Sequence, residues 1–371
     1  MQPIKMVDLH RQYLTIKDEI DQAIQSVLDS SEFIMGRVVD EFEHELSQYL
    51  EAKFVIGCAS GTDALLIAMM AMEIGPGDEV ITSPFSFAAA AEAIAFLGAR
   101  PVYVDIDSRT YNIDPNLISD GITQKTKAIL PVHLFGQSAD MEPILSLAQE
   151  NDLKVIEDSA QSIGARYHNR FVGTLGDIGC LSFYPTKNLG AYGDAGALLT
   201  NDSSLAQTCR MITEHGSRVR YHHETLGINS RLDSLQAAVL KVKLKHLERW
   251  TEARIRIAQT YTQALSGLGL VIPYSPAYAK HVYHQYSIRT PRRDEVAAFL
   301  KDKGMPCSIH YPVPLHKQPA FRELVEPGTR FPVAETVAKQ ILSLPIFPEL
   351  EDREIDTITS SLRQFFEIPS S

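Results

Sequence analysis

The run Ser182-Phe183-Tyr184-Pro185-Thr186-Lys187-Asn188-Leu189-Gly190 places one lysine just past a short apolar stretch, Cys180 to Phe183, in a loop rich in turn formers. A lysine amine is a strong nucleophile toward aldehydes once its surroundings lower its pKa. The same loop carries the Ser182 hydroxyl and continues into Gly190-Ala191-Tyr192-Gly193-Asp194-Ala195-Gly196. Upstream, Val155-Ile156-Glu157-Asp158-Ser159-Ala160-Gln161 is an apolar run ending in a carboxylate. Burying Asp158 unpaired would be costly. A strand-end acid with a strand-end lysine is the pair that pyridoxal 5′-phosphate (PLP) chemistry needs. The lysine holds the cofactor as a Schiff base, and the acid keeps the pyridine nitrogen protonated and the ring an electron sink. The plain alternatives are a solvated surface lysine and a loop carboxylate with Glu157 equally exposed.

Other residues gain meaning beside this pair. Gly61-Thr62 follows the apolar run Phe54–Gly57 and opens a helical pattern, Thr62–Met72. Free N–H groups at a helix start, next to a glycine, suit a phosphate, although Ser60 or Thr62 could serve simply as an N-cap. Gln161, three residues past Asp158, can hydrogen-bond a phenolic oxygen. Phe85 and Phe87 follow another strand and offer flat rings for stacking or for the core. His215, His222 and His223 lack the carboxylate or cysteine partners of a metal site, so no metal is expected. His310-Tyr311-Pro312-Val313-Pro314-Leu315-His316 is a proline-stiffened loop whose imidazoles and phenol suit either a sugar or a rigid turn.

These residues require strands that end together. Candidate strands Phe54–Gly57, Glu79–Thr82, Pro101–Val104, Ala128–Val132, Lys154–Glu157, Cys180–Phe183 and Ala197–Thr200 alternate with helical patterns at Thr62–Met72, Ala88–Leu97, Met141–Glu150 and Leu205–Glu214. Such alternation predicts an α/β fold with a mostly parallel seven-stranded sheet, and ligands bind at the carboxyl ends of its strands. A long helical pattern without proline follows from Leu232 to about Leu265. Then come strand Tyr283–Arg289, helix Asp294–Lys303, strand Cys307–His310 and helices Val333–Leu342 and Asp352–Phe366. The expected organisation is a large domain over 1–235, a connecting helix over 236–270 and a smaller α+β domain over 271–371.

The chain has 371 residues, 44% of them hydrophobic, and a formal net charge of −11. That charge argues against non-specific nucleic-acid binding. Cys58, Cys180, Cys209 and Cys307 are scattered, as in a reduced, cytoplasmic protein. No signal peptide or membrane span is visible.

The motifs Ala59-Ser60-Gly61-Thr62-Asp63-Ala64, Glu157-Asp158-Ser159-Ala160-Gln161, Ser182 to Gly196 and Asn229-Ser230-Arg231-Leu232-Asp233 resemble those of the DegT/StrS-type nucleotide-sugar aminotransferases. The resemblance runs from Val7-Asp8-Leu9 to Pro348-Glu349-Leu350. It implies a fold-type I, aspartate-aminotransferase-like fold that binds PLP or its pyridoxamine form. It assigns Lys187 and Asp158 as catalytic and Gly61, Thr62, Phe87, Gln161, Ser182 and Asn229 as cofactor contacts, with Phe87 rather than Phe85 stacking on the ring. It further implies a homodimer in which Asn229 reaches the neighbouring subunit's cofactor phosphate. Arg231, His310, Tyr311 and His316 become candidate substrate contacts, and L-glutamate the amino donor. His281-Val282-Tyr283-His284-Gln285-Tyr286 resembles a segment of the enzymes that aminate C-3 of a dTDP- or UDP-linked keto sugar. The alternatives are C-4 or cyclitol amination, a PLP-dependent sugar dehydratase, and a PLP-binding regulator. Related dehydratases carry histidine where this chain has Lys187.

Overall fold

The computed structural model describes residues 4–367. Three helices come first, the short α1 (Leu9–Thr15) and the amphipathic α2 (Lys17–Ser30) and α3 (Arg37–Leu50). Sequence reading did not anticipate them. Strands β1 (Phe54–Cys58), β2 (Glu79–Thr82), β3 (Arg100–Tyr103), β4 (Thr126–Leu130) and β5 (Lys154–Asp158) then alternate with helices α4 (Gly61–Ala71), α5 (Ala89–Phe96) and α6 (Met141–Glu150). Two-residue strands β6 (Arg166–Tyr167) and β7 (Arg170–Phe171) precede β8 (Ile178–Ser182) and β9 (Gly196–Thr200). The large sheet has seven strands in the order β1-β9-β8-β5-β4-β2-β3. Its neighbours pair in parallel except around β9, which runs antiparallel to β1 and β8.

Side chains alternate across a strand, so each strand feeds two cores. Ile56, Cys180 and Leu198 pack under α4 and α7 (Ser203–Thr213). Val55, Leu181 and Leu199 pack on the other face with Phe42 and Leu46 of α3 and with Leu240 of α8 (Ser234–Leu244). Near-continuous apolar strands are what a sheet covered on both faces requires.

The expected single helix after Leu232 is two. α8 stops at Leu244, and α9 runs Leu247–Leu265. No proline or glycine marks the break. The His246 N–H bonds Lys243 O three residues back, which closes α8, while its carbonyl starts α9 by accepting from Trp250. β10 (Ser217–Val219) and β11 (His222–His223) form a small exposed ribbon before α8.

The C-terminal part is built on β13 (Tyr286–Arg289) paired antiparallel with β14 (Ile341–Leu344), while β12 (Ala279–Lys280) joins β6. Helices α9, α10 (Arg293–Asp302) and α12 (Asp352–Glu367) share its core. The expected strand Cys307–His310 reduces to one bridge, Ser308 with Ser343. Pro306 and Pro312 flank it, and proline donates nothing to a ladder. The expected helix Val333–Leu342 ends early, as α11 (Pro332–Gln340), because its apolar tail enters β14. Asp105, just past β3, accepts from the N–H groups of Val333 and Ala334 at 2.9 Å each. This cap fastens α11 to the carboxyl edge of the sheet. No helix among the described residues is long and apolar enough to cross a membrane.

Candidate active site

Asp158 ends β5, where Cys180 of β8 pairs with it on one side and Val132 bridges it on the other. The alternation of the strand sends the two adjacent carboxylates to opposite sides. Glu157 is fully buried and accepts from the N–H groups of Gly173, Leu175 and Gly176 at 2.7 Å each and contacts His133 Nε2 at 2.9 Å. It is therefore not an exposed loop acid. Asp158 is only 6% exposed and faces the cavity, with Oδ1 accepting from the Ala160 N–H at 3.0 Å. Burial pushes its carboxyl up, against the lowering effects of that N–H and of the charges on Lys187 and His133.

Lys187 sits beyond β8 on a tight turn, its N–H donating to Tyr184 O at 2.8 Å. Its amine has no hydrogen-bond or ion-pair partner among the described residues, and it opens on a cavity of about 480 Å³. Burial lowers its pKa to about 8, while the Asp158 charge works in the other direction. An amine held this way has a usable free-base population near neutrality, which an ordinary lysine lacks.

The far wall is the start of α4. Ser60 caps it, its Oγ accepting from the Asp63 N–H at 3.1 Å. The first intrahelical bond comes from Ala64 N to Ser60 O. The N–H groups of Gly61 and Thr62 are therefore left for another acceptor. Ser182 lies against Gly61, where an added Cβ would stand 2.5 Å from the Ser182 Cβ. Both residues and Thr62 line the cavity. Phe87 is 58% exposed and lines it too, whereas Phe85 is 1% exposed and belongs to the core.

Gln161 lines the cavity, but its amide is already committed. Oε1 accepts from the Phe135 N–H at 2.9 Å and Nε2 donates to the Tyr311 hydroxyl at 3.1 Å. It retains one N–H for a ligand. His310 and Tyr311 line the cavity, His310 with Nδ1 on Ser343 Oγ at 2.9 Å. Burial pushes the Tyr311 phenol up to about 12. His316 is a correction. Its ring is buried beside Phe331 and its Nε2 faces Glu335 at 3.3 Å, so it is not among the cavity residues. Lys317 and Arg330 join the same Glu335 carboxylate, which makes this cluster an anchor for the loop. Asn229 is exposed and Arg231 half-buried, on the segment after the β10–β11 ribbon, and neither lines the cavity formed by this chain.

Tyr184, His284 and Gln285 also line the cavity, although the sequence reading gave none of them a contact of its own. Tyr184 was within reach, because it flanks the lysine in the same turn. His284 lay in the segment His281–Tyr286 marked by resemblance, but nothing local told which of its side chains would face the cavity. His284 Nδ1 lies 3.3 Å from Asn188 Oδ1 next to Lys187, and burial drives its pKa well down, which keeps the ring neutral.

The constellation can hold an anion on the α4 start and Ser182, condense an amine at Lys187 with an aldehyde, pair Asp158 with a cationic ring nitrogen and cover a flat ring with Phe87. These are the demands of a phosphorylated pyridine aldehyde, and the residues present meet them. A doubly covered, mostly parallel sheet with this lysine and acid at its carboxyl edge defines an aminotransferase-like α/β enzyme fold. The profile of the DegT/DnrJ/EryC1/StrS aminotransferase family matches residues 14–363, and the chain belongs to that family. It is 50% identical to a pleiotropic regulatory protein of Geobacillus stearothermophilus, with 98% of each chain covered. It is 46% identical to the UDP-2-acetamido-2-deoxy-3-oxo-D-glucuronate aminotransferase of Pseudomonas aeruginosa, covering 97% of this chain and 99% of the relative. A crystal structure of S. venezuelae DesV in complex with a ketimine intermediate superposes with a TM-score of 0.97 at 40% identity, with 100% of both chains covered.

Proposed function

We propose that the chain is a PLP-dependent aminotransferase that moves an amino group from an amino acid, L-glutamate, to the C-3 ketone of a hexose carried on UDP or dTDP. The observation that carries this reading is the unpartnered Lys187 amine, in one cavity with the buried Asp158 carboxylate and the open N–H groups of α4. Bound there, the cofactor supplies an aldehyde for amine exchange and an electron-withdrawing ring.

The chain's residues do the rest. Gly61, Thr62 and Ser182 hold the phosphate. Asp158 keeps the proton on the ring nitrogen, and Phe87 covers the ring. The Lys187 amine binds the aldehyde and, once displaced by the incoming amine, carries a proton to and from the reacting carbon at Nζ. Tyr311, His310 and His284 bound the space left for the sugar, and neutral imidazoles there donate or accept without adding charge. The substrate's pyrophosphate needs cations on a chain of net charge −11. Arg231, with Arg218 and Arg220 on the neighbouring ribbon, forms the available set, and arginine forks suit phosphates. The enzyme works in the cytoplasm as a homodimer, the Asn229 segment of one subunit completing the phosphate site of the other. The exposure of that segment supports this arrangement, with Tyr221 at 80% and Leu226 at 86%.

The decisive experiment incubates the protein with matched 3-keto and 4-keto nucleotide sugars plus L-glutamate, and reads the product by mass and proton couplings. A 3-amino sugar with release of 2-oxoglutarate is expected. Amination at C-4, or of a free cyclitol only, overturns the assignment. A second reading, a ligand-binding regulator without turnover, is favoured by the regulatory role in the name of the Geobacillus relative. Absence of turnover with every keto sugar, alongside normal cofactor binding, would establish it.

A further inference from the structure

A second lysine stands behind the catalytic loop. Lys243 belongs to α8 and is 1% exposed, among the largest fully buried side chains of the protein. Its Nζ donates to the carbonyl of Gly190 at 2.7 Å and lies 4.4 Å from the centre of the Tyr192 ring. It forms no ion pair among the described residues. Burial lowers its pKa to about 8, with the Glu349 charge opposing the fall.

A lysine is almost never fully buried without a paired charge, and an apolar residue of similar size would ordinarily suit such a place as well or better. The surroundings sharpen the point, because α8 otherwise meets this side of the sheet with Ala237, Leu240 and Leu244. What the ammonium gains is one carbonyl and one ring face, a favourable but partial compensation. The carbonyl lies three residues after Lys187. At Gly190 a side chain would collide with the backbone of Pro185, so the chain there is folded back on itself. Leu189 and Ala191 are buried on either side. Two helical turns earlier on α8, Gln236 takes the N–H of Tyr192 on Oε1 at 2.8 Å. The helix thus grips the loop by an acceptor and a donor in succession.

We propose that Lys243 is a positioning residue: its ammonium pins the Gly190 carbonyl and so fixes the backbone turn from which Lys187 reaches the cofactor. This rests on the reading of Lys187 as the cofactor lysine. Lys243 touches neither cofactor nor substrate. It acts through the loop. Losing it lets the turn shift, and misplacing a reacting group by about 1 Å can cost roughly a hundredfold in rate.

The test compares the parent with Lys243→Met, which keeps the length and apolar stem, and Lys243→Gln, which keeps an N–H donor. The first readout is hydrogen exchange of the cofactor-free proteins. Peptides spanning 184–196 exchange at least tenfold faster in Lys243→Met, while those of β5 and α4 keep the parent rate. The second is the split of kinetic constants in the amino-acid half reaction: kcat falls by about a hundredfold with KM within about threefold, and Lys243→Gln recovers part of the loss. Parent-like exchange and kcat in Lys243→Met overturn the proposal. So does unfolding of both variants, because the lysine then serves the core rather than the loop. Borohydride reduction of the parent separates the two readings. An adduct on another lysine sinks the assignment of Lys187, whereas an adduct on Lys187 with a silent Lys243→Met sinks the positioning role alone.

Discussion

Lys187 combines two properties that separate a reactive amine from a solvated one: no group among the described residues pairs with it, and burial depresses its pKa to about 8. The free-amine form is half populated near that pH and rises with pH up to it. Capture of added PLP by the cofactor-free protein should therefore speed up about fivefold from pH 7 to pH 8 and less than twofold from pH 8 to pH 9. An ordinary lysine would give about tenfold in each interval. Stopped-flow absorbance records it, and an unbroken tenfold rise per pH unit refutes the environment assigned to Lys187. Borohydride should fix the cofactor on this lysine, and Lys187→Ala should abolish turnover. Asp158 makes a separate demand. Asp158→Asn keeps the shape and the Ala160 contact but removes the charge proposed to hold the ring proton. Cofactor should remain bound while both half reactions slow by roughly a hundredfold or more. Unchanged rates would mean that another group protonates the ring nitrogen.

Elements decide where those groups meet, and here the glycine at the start of α4 is the sensitive point. Gly61 brings the helix start against Ser182, and any side chain drives the two apart. Gly61→Ala should weaken PLP at least tenfold, as lost charge-assisted hydrogen bonds of about 1.5–3 kcal/mol each imply. Pyridoxal, which lacks the phosphate, should bind within about threefold of its parent affinity. Fluorescence titration of both ligands checks this, and equal losses for the two would show general damage rather than a phosphate site. The same elements show what a sequence displays. β2 and α6 fall at their expected bounds, because their apolar period and flanking turns are local signals. The positions of Asp158, Gly61 and Thr62 were legible since each closes or opens such an element, and that of Lys187 since its turn-rich loop follows β8. The break at Lys245-His246 was not, because ordinary residues make it and tertiary packing sets it. Nor was the fate of His316, whose partner Glu335 comes from α11 and is known only once the chain has folded. The burial of Glu157 depended likewise on a loop, Gly173 to Gly176, that no spacing rule ties to it.

At the scale of the molecule, the cavity is lined from α4, β5, the loop after β8 and the His310–Tyr311 loop, and Asn229 stays outside it on an exposed segment. If that segment completes the neighbour's phosphate site, each active site needs two copies of the chain. The consequence can be counted. Lys187→Ala subunits lack the amine but present an intact Asn229. Subunits carrying Asn229→Asp keep the amine and set a negative charge toward a phosphate. A hybrid dimer then holds one site with both faults and one with neither. Co-expression in equal amounts makes about half of all dimers hybrid, so activity should return to about a quarter of the parent value although each variant alone is nearly inactive. Sites confined to one chain give no recovery beyond the mean of the two variants. Dilution supplies an independent check, since subunits that separate lose part of every phosphate site and cofactor affinity should fall with protein concentration. Full activity and unchanged cofactor affinity in a stable monomer, measured by sedimentation on the assayed sample, would remove the shared site and return the phosphate entirely to Gly61, Thr62 and Ser182.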